Sequence, residues 1–220
     1  MKRYDAIIIG FGKGGKTLAT DLAASGKKVA MVEKSNKMYG GSCPNVGCVP
    51  TKFLVNKSEI SEIKAFASFA EKAEFYTWSI AQKKKMREMI LSKMFTMLDS
   101  NPNVDLYTAK GSFVSPNEVE VEGDGFKEVI YGEKIVIDTG SVPFIPPIKG
   151  ISGSKHVYTS EGMLELEPLP KHLVIIGGGN IGLEFASIYR RFGSEVTVLQ
   201  DLPSFMPNED DDIAKCVKEG

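Results

Sequence analysis

The chain has 220 residues, of which 42% are hydrophobic and 25% charged, with a formal net charge of −1. That is enough apolar content for one large packed domain or two small ones, and the charge gives no case for nucleic acid or an anionic membrane as partner. No apolar run is long enough to cross a bilayer, and the opening Met-Lys-Arg-Tyr leads straight into a strand-like stretch, so the expectation is a cytoplasmic chain without a signal peptide.

Residues 4–9 are apolar and rich in β-branched side chains, too short a run for a helix, and predict a buried strand. Gly10, Gly12 and Gly15 follow in a G-x-G-x-x-G. A helix is expected from residue 16 to 25, with Gly26 placed to stop it, then a second strand over 29–32 ending at Glu33. Such glycines allow a tight turn and let the backbone approach a pyrophosphate, which the helix N-terminus then stabilises. Glu33 stands 23 residues after Gly10, where an acid accepts hydrogen bonds from a ribose. Strand, turn, helix and acid together make a strong dinucleotide-binding signal.

The run GGSCPNVGCVPTK at 40–52 comes next. Cys43 and Cys48 are five apart, separated by turn-forming residues, and Pro50 suits the first turn of a helix expected over 51–69. The N-terminus of that helix and Lys52 would favour a thiolate at Cys48. Three readings compete for the pair. A structural disulfide sits poorly with only three cysteines in a chain of intracellular character. A metal site sits poorly with a spacing wider than usual zinc pairs and no further ligands close by. A redox-active pair is favoured, and no metal ligand set is assigned.

A second helix is expected over 77–98. Its cluster of Lys83, Lys84, Lys85 and Arg87 reads as a solvated face, and Met86, Met89, Met94 and Met97 as core filling. Trp78 receives no role. From Val104 the pattern changes to short strands, expected at 105–107, 111–114, 118–122, 128–131 and 134–138, with a hairpin turn at Asp124-Gly125. Prolines at 143, 146, 147, 168 and 170 suit a chain crossing between domains.

Residues 173–176 open a second strand–turn–helix. Gly177, Gly179 and Gly182 repeat Gly10, Gly12 and Gly15 at an offset of 167 residues. A helix then runs to about 192, Gly193 stops it, and a strand covers 196–199. The same offset carries Glu33 onto Gln200. Glutamine can bond a ribose hydroxyl without repelling a 2′-phosphate, so NADH and NADPH both stay open. The fold expected is α/β, with two Rossmann-like dinucleotide-binding units and a small antiparallel β element. The expected division is one dinucleotide-binding domain over 1–150 and the start of a second over 151–220. His156 and His172 are read as surface or packing residues, and Cys216, in a polar helical tail, as incidental and not a third redox partner.

The 40–52 run resembles the active-site motif GGTCxNxGCxPxK of the class I pyridine nucleotide–disulfide oxidoreductases, a family that includes dihydrolipoamide dehydrogenase, glutathione reductase and mercuric reductase. The runs GFGKGGKTLA, SNKMYGGSC and DTGSVPFIPPIKG are most similar to its reactive-chlorine resistance branch, associated with reduction of hypothiocyanous acid and copper(II). The resemblance implies electron flow from NAD(P)H through FAD to a Cys43–Cys48 disulfide and on to a small oxidant or disulfide substrate. It implies Cys48 beside the flavin, Cys43 facing substrate, and Lys52 beside the flavin paired with Glu184. Gly41, Ser42, Gly111, Thr139 and Gly140 match its flavin segments, although Asp138 stands where the family has Ala. Gly177, Gly179, Asn180, Ile181 and Gly182 match its nicotinamide turn, with Asn180 replacing an aromatic gate. The family's acid–base histidine and dimerisation domain lie beyond this chain, which therefore looks truncated; a homodimer is expected of the full-length protein. The competing readings are a dihydrolipoamide dehydrogenase, mercuric reductase or glutathione reductase type of activity, and a non-catalytic nucleotide-binding fragment.

Overall fold

The structure is a computed structural model that describes residues 1–151, 153–201, 205–206 and 209–219. It divides into two units, Met1–Pro50 with Lys84–Gly153, and Thr51–Lys83 with Ser154–Gly220. The chain crosses between them three times, twice within a helix and once after Gly153.

In the first unit the apolar opening run is β1 (Arg3–Ile9), followed by α1 (Lys13–Ala24) and β2 (Val29–Glu33). The cysteine run forms the short helix α2 (Ser42–Val46) and opens α3 (Cys48–Ile63); α4 (Phe69–Asp99) returns the chain to this unit. Then come β3 (Val104–Thr108), β4 (Lys110–Ser115), β5 (Glu118–Gly123) and β6 (Phe126–Ile137). All six strands share one sheet in the order β3-β2-β1-β6-β5-β4. β3, β2, β1 and the second half of β6 run parallel, whereas β4, β5 and the first half of β6 are antiparallel.

Three sequence expectations change here. Residues 105–107 belong to the parallel sheet, not to the antiparallel element, because β3 pairs with β2 from Val29↔Val104 to Glu33↔Thr108. The strands expected at 128–131 and 134–138 are one strand, which serves both halves of the sheet. Gly132 lies between the two expected segments, and a Cβ there would lie 2.8 Å from Ile7 Cγ1. The glycine allows β6 to press on β1 without interruption. Finally, the residues between the cysteines form a helical turn, and α3 starts at Cys48 rather than at 51. Pro50 tolerates this because its missing N–H falls in the first turn, where it would have no helical partner.

β1 and β2, at the centre of the parallel half, are buried on both faces. Ile7, Ile9 and Val32 join Tyr107, Val119 and Ile130 in one cluster. Ile8 and Met31 face the other way and pack with Ala19, Ala23 and Leu98. Parallel strands covered on both sides read as continuous apolar runs, which is why residues 4–9 show no alternation. Only part of the methionine reading survives. Met94 packs on the second cluster, whereas Met89 and Met97 are exposed at 68% and 41%.

The second unit contains α5 (Ser160–Met163), β7 (His172–Ile176), α6 (Asn180–Phe192), β8 (Glu195–Leu199) and α7 (Asp211–Glu219). β7 and β8 pair in parallel from His172↔Glu195 to Ile176↔Leu199. The core gathers Leu54, Tyr76, Ile80, Phe185, Ile188, Tyr189 and Phe192. Its two buried tyrosine hydroxyls find partners within the unit, whereas the buried Ser61 hydroxyl has none among the described residues. Tyr76 donates to the Leu166 carbonyl at 2.7 Å, Tyr189 to the Met163 carbonyl at 2.9 Å, and the two hydroxyls meet at 3.0 Å. Burial pushes both phenols up, Tyr189 to about 12. The basic cluster also needs correction. Lys83 is fully buried, with its ammonium donating to the Leu164 carbonyl and to Glu165 at 2.8 Å. His172 stays at the surface, 2.9 Å from Glu195.

Candidate functional site

The first glycine turn is built at the C-terminal end of β1. Gly10 has φ +106°, and a Cβ there would lie 2.1 Å from the Asp138 carbonyl oxygen, so only glycine fits. The Glu33 side chain holds the turn from below. One carboxylate oxygen accepts from Phe11 N at 3.0 Å and the other from Ser35 N at 3.0 Å, in a residue only 8% exposed. The N-cap of α1 is Gly12, which offers no side-chain cap, and the first turn of the helix has no acid. Its N–H groups are therefore available to a ligand anion, apart from Gly15 N, which donates to Asp138 Oδ2 at 2.9 Å.

The second turn repeats this design in its own unit. Gly177 has φ +109° and Gly178 N donates to Gln200 Oε1 at 2.9 Å. The repeat offset maps Phe11 to Gly178 and Glu33 to Gln200, so the glutamine keeps the turn-holding hydrogen bond of the glutamate while losing its charge. Gly179 caps α6 without a side-chain contact, Ile181 lies exposed in the first helical turn, and a Cβ at Gly182 would lie 2.2 Å from the Gly177 carbonyl oxygen.

The cysteine run is set directly against the first turn. A Cβ on Gly41, which has φ +76°, would lie 2.7 Å from Gly12 Cα, so the two motifs touch backbone to backbone. Asn45, 1% exposed, donates to the Tyr39 and Gly41 carbonyls at 2.9 and 2.8 Å. Arg87 on α4 donates to the Lys37 carbonyl at 3.1 Å and reaches Asn45 Oδ1 at 3.4 Å. Ser42 opens α2, and Cys48 opens α3. Cys43 is half-buried and Cys48 exposed, and both are free thiols in this structure. Burial pushes the Cys43 thiol up, as do a hydrogen bond to Cys48 and the charge of that neighbour; Lys13 and the Val49 backbone N–H pull the other way.

That balance sets a pH dependence. A raised pKa means that the reactive thiolate of Cys43 accumulates only as pH climbs past the ordinary thiol range. Peptide-resolved iodoacetamide labelling of the reduced chain should show Cys43 modification still accelerating above pH 9.0. Lys13→Gln should slow it by about twofold at pH 8, the modest effect of an exposed charge. A labelling rate that levels off well below pH 9.0 would contradict this.

Elsewhere, Lys52 on α3 and Glu184 on α6 form an ion pair, with side chains 70% and 28% exposed. Asn180, one helical turn before Glu184, donates to Glu209 at 3.3 Å. Gly111, on β4, packs against Ile9 and Val32 at the C-terminal ends of β1 and β2. Thr139 and Gly140 follow β6 and are exposed. Sequence reasoning missed Asn45, Arg87 and the contacts of Asp138. The motif contains Asn45 and the DTG segment contains Asp138, but Arg87 lies 42 residues from its partner with no local signal. Among the described residues no helix is long and apolar enough to cross a membrane.

Comparison with known proteins identifies the family of the chain. Residues 4–220 match the family described as pyridine nucleotide-disulphide oxidoreductase. The chain is 43% identical over 214 residues to the probable pyridine nucleotide-disulfide oxidoreductase RclA of Escherichia coli K12, covering 97% of this chain and 46% of that protein. It is 36% identical over 221 residues to a dihydrolipoyl dehydrogenase of Acholeplasma laidlawii, covering 96% and 64%. A solved Cu(II) complex of the HOCl-induced flavoprotein disulfide reductase RclA from Escherichia coli superimposes with a TM-score of 0.88 at 42% identity, covering 99% of this chain and 46% of that one. The chain thus spans about half the length of RclA.

Proposed function

Since the chain belongs to the pyridine nucleotide-disulphide oxidoreductase family, we propose that it carries the dinucleotide turns and the redox dithiol of an NAD(P)H-dependent flavoprotein reductase acting on a small oxidant. The observation that carries this reading is the backbone contact of Gly41 with Gly12, which sets the Cys43–Cys48 run against the first dinucleotide turn. The residues present fit FAD there. The turn is closed by glycines, the α1 N-terminus has no side-chain cap, and Gly12 and Gly41 leave no side chains between the turn and the dithiol. On this reading residues 1–150 are the flavin-binding part and 151–220 the start of the nicotinamide-binding part. FAD, when bound, supplies two-electron exchange between nicotinamide and dithiol.

The chain's own residues do the rest. The α1 N-terminus, Ser42, Gly111, Thr139 and Gly140 hold the flavin dinucleotide, and Glu33 shapes its turn and meets the ribose. Gly177, Gly179, Gly182 and Gln200 hold the nicotinamide dinucleotide; the neutral Gln200 leaves NADH and NADPH both acceptable. Lys52 is kept in place by Glu184. With hypothiocyanous acid as oxidant, the Cys43 thiolate attacks the sulfur and releases hydroxide. The Cys48 thiolate then displaces thiocyanate and closes the Cys43–Cys48 disulfide, which two electrons and two protons reopen. RclA's Cu(II) complex makes copper(II) the second oxidant to try, two ions taking one electron each. The full-length protein is proposed to act as a cytoplasmic homodimer.

The test is an anaerobic titration of the purified protein with NADH and, separately, NADPH, followed by visible absorbance, and then addition of hypothiocyanous acid. The reading predicts a yellow protein that bleaches with at least one donor and recovers with the oxidant. A colourless protein that takes up no added FAD would overturn it.

A further inference from the structure

Resting on the reading of the first turn as a flavin site, the structure assigns a specific task to Asp138: we propose that it is a resident anion that holds the ligand-free turn in shape and weakens its grip on the flavin pyrophosphate. Asp138 ends the sheet's path beside α1. Its backbone N–H donates to the Ile9 carbonyl at 2.8 Å and its carbonyl lies under Gly10. Its carboxylate accepts from Gly15 N at 2.9 Å. A Cβ on Gly12 or Gly15 would come within 2.5 or 2.7 Å of Asp138 Oδ2, and one on Gly14 within 3.6 Å of Oδ1. Three of the four glycines of the run 10–15 that carry no side chain are thus packed around one carboxylate.

Two consequences oppose each other. The carboxylate satisfies one of the N–H groups that α1 leaves free, and its charge suits the positive end of the helix dipole, which stabilises the turn before any ligand arrives. A pyrophosphate bound at the same helix end brings further negative charge into the same small region, so the two repel. Asparagine at 138 keeps an oxygen for Gly15 N and removes the charge. Alanine removes both.

The two variants separate these effects. FAD affinity is measured by fluorescence quenching on the deflavinated chain at low and high salt, with thermal melting of each ligand-free variant alongside. Asp138→Asn should bind FAD about fivefold more tightly than the parent at low ionic strength, the difference shrinking as salt screens the charge. Asp138→Ala should melt lower than Asp138→Asn in the ligand-free state. Equal or weaker FAD binding by Asp138→Asn at low salt, with the parent saturating normally, would overturn the proposal while leaving the flavin reading intact. Failure of the parent itself to bind FAD would remove the flavin reading and this inference with it.

Discussion

Cys43→Ser is expected to cut NAD(P)H-driven reduction of the oxidant at least about a thousandfold, the scale seen when a covalent nucleophile is removed from a working site. The loss should appear at the dithiol step and leave FAD binding unchanged, because Ser differs by one atom and Gly41, Asn45 and Arg87 still hold the run in place. Cys48→Ser should be equally inactive with the same oxidant, since no second thiol can close the disulfide. It would, however, leave Cys43 able to form a mixed adduct detectable by mass. Cys216→Ser, in the polar helix α7, should be indistinguishable from the parent. Retained turnover in Cys43→Ser would mean that electrons leave by another route.

The largest stability effect is expected at Lys83. Its side chain is fully buried, and its ammonium is held by the Leu164 carbonyl and by Glu165, whose own side chain is 42% exposed. Lys83→Ala removes the charge, strands part of the carbonyl's hydrogen bonding and opens a cavity in a core that also includes Tyr76, Ile80 and Leu164. A loss of about 3 kcal/mol in urea denaturation is expected. Lys83→Met refills most of the volume and leaves only the polar partners unmet, so its cost should be nearer about 1 kcal/mol. If both variants stay within about 0.5 kcal/mol of the parent, a level typical of surface substitutions, the buried ammonium contributes nothing net.

These cases also show where sequence reading stops. Gly10, Gly12 and Gly15 announce the turn because their spacing, the strand before and Glu33 after it are all local. The structure adds that Glu33 works on the protein's own backbone, through Phe11 N and Ser35 N. Gln200 was legible as a lost charge, and the structure adds that its side chain accepts a hydrogen bond from Gly178 N. Lys83 was misread because a run of three lysines looks solvated. The carbonyl that receives it is 81 residues away, and no period in the helix reveals that. Asp138 was visible as a departure from a motif, but its meaning depends on Gly15, 123 residues earlier. The strand at 105–107 was assigned to the wrong part of the sheet for the same reason: pairing partners are a tertiary property, and alternation cannot distinguish them.

The central claim is that Cys43 and Cys48 exchange electrons with NAD(P)H as a pair. The most direct measurement is thiol labelling with mass spectrometry on the oxidised, flavin-loaded protein before and after anaerobic NADH or NADPH. The account predicts that Cys43 and Cys48 are both protected beforehand, that both become alkylated afterwards, and that Cys216 is labelled equally in both samples. Bleaching of the flavin by NAD(P)H while Cys43 and Cys48 stay unchanged would contradict it.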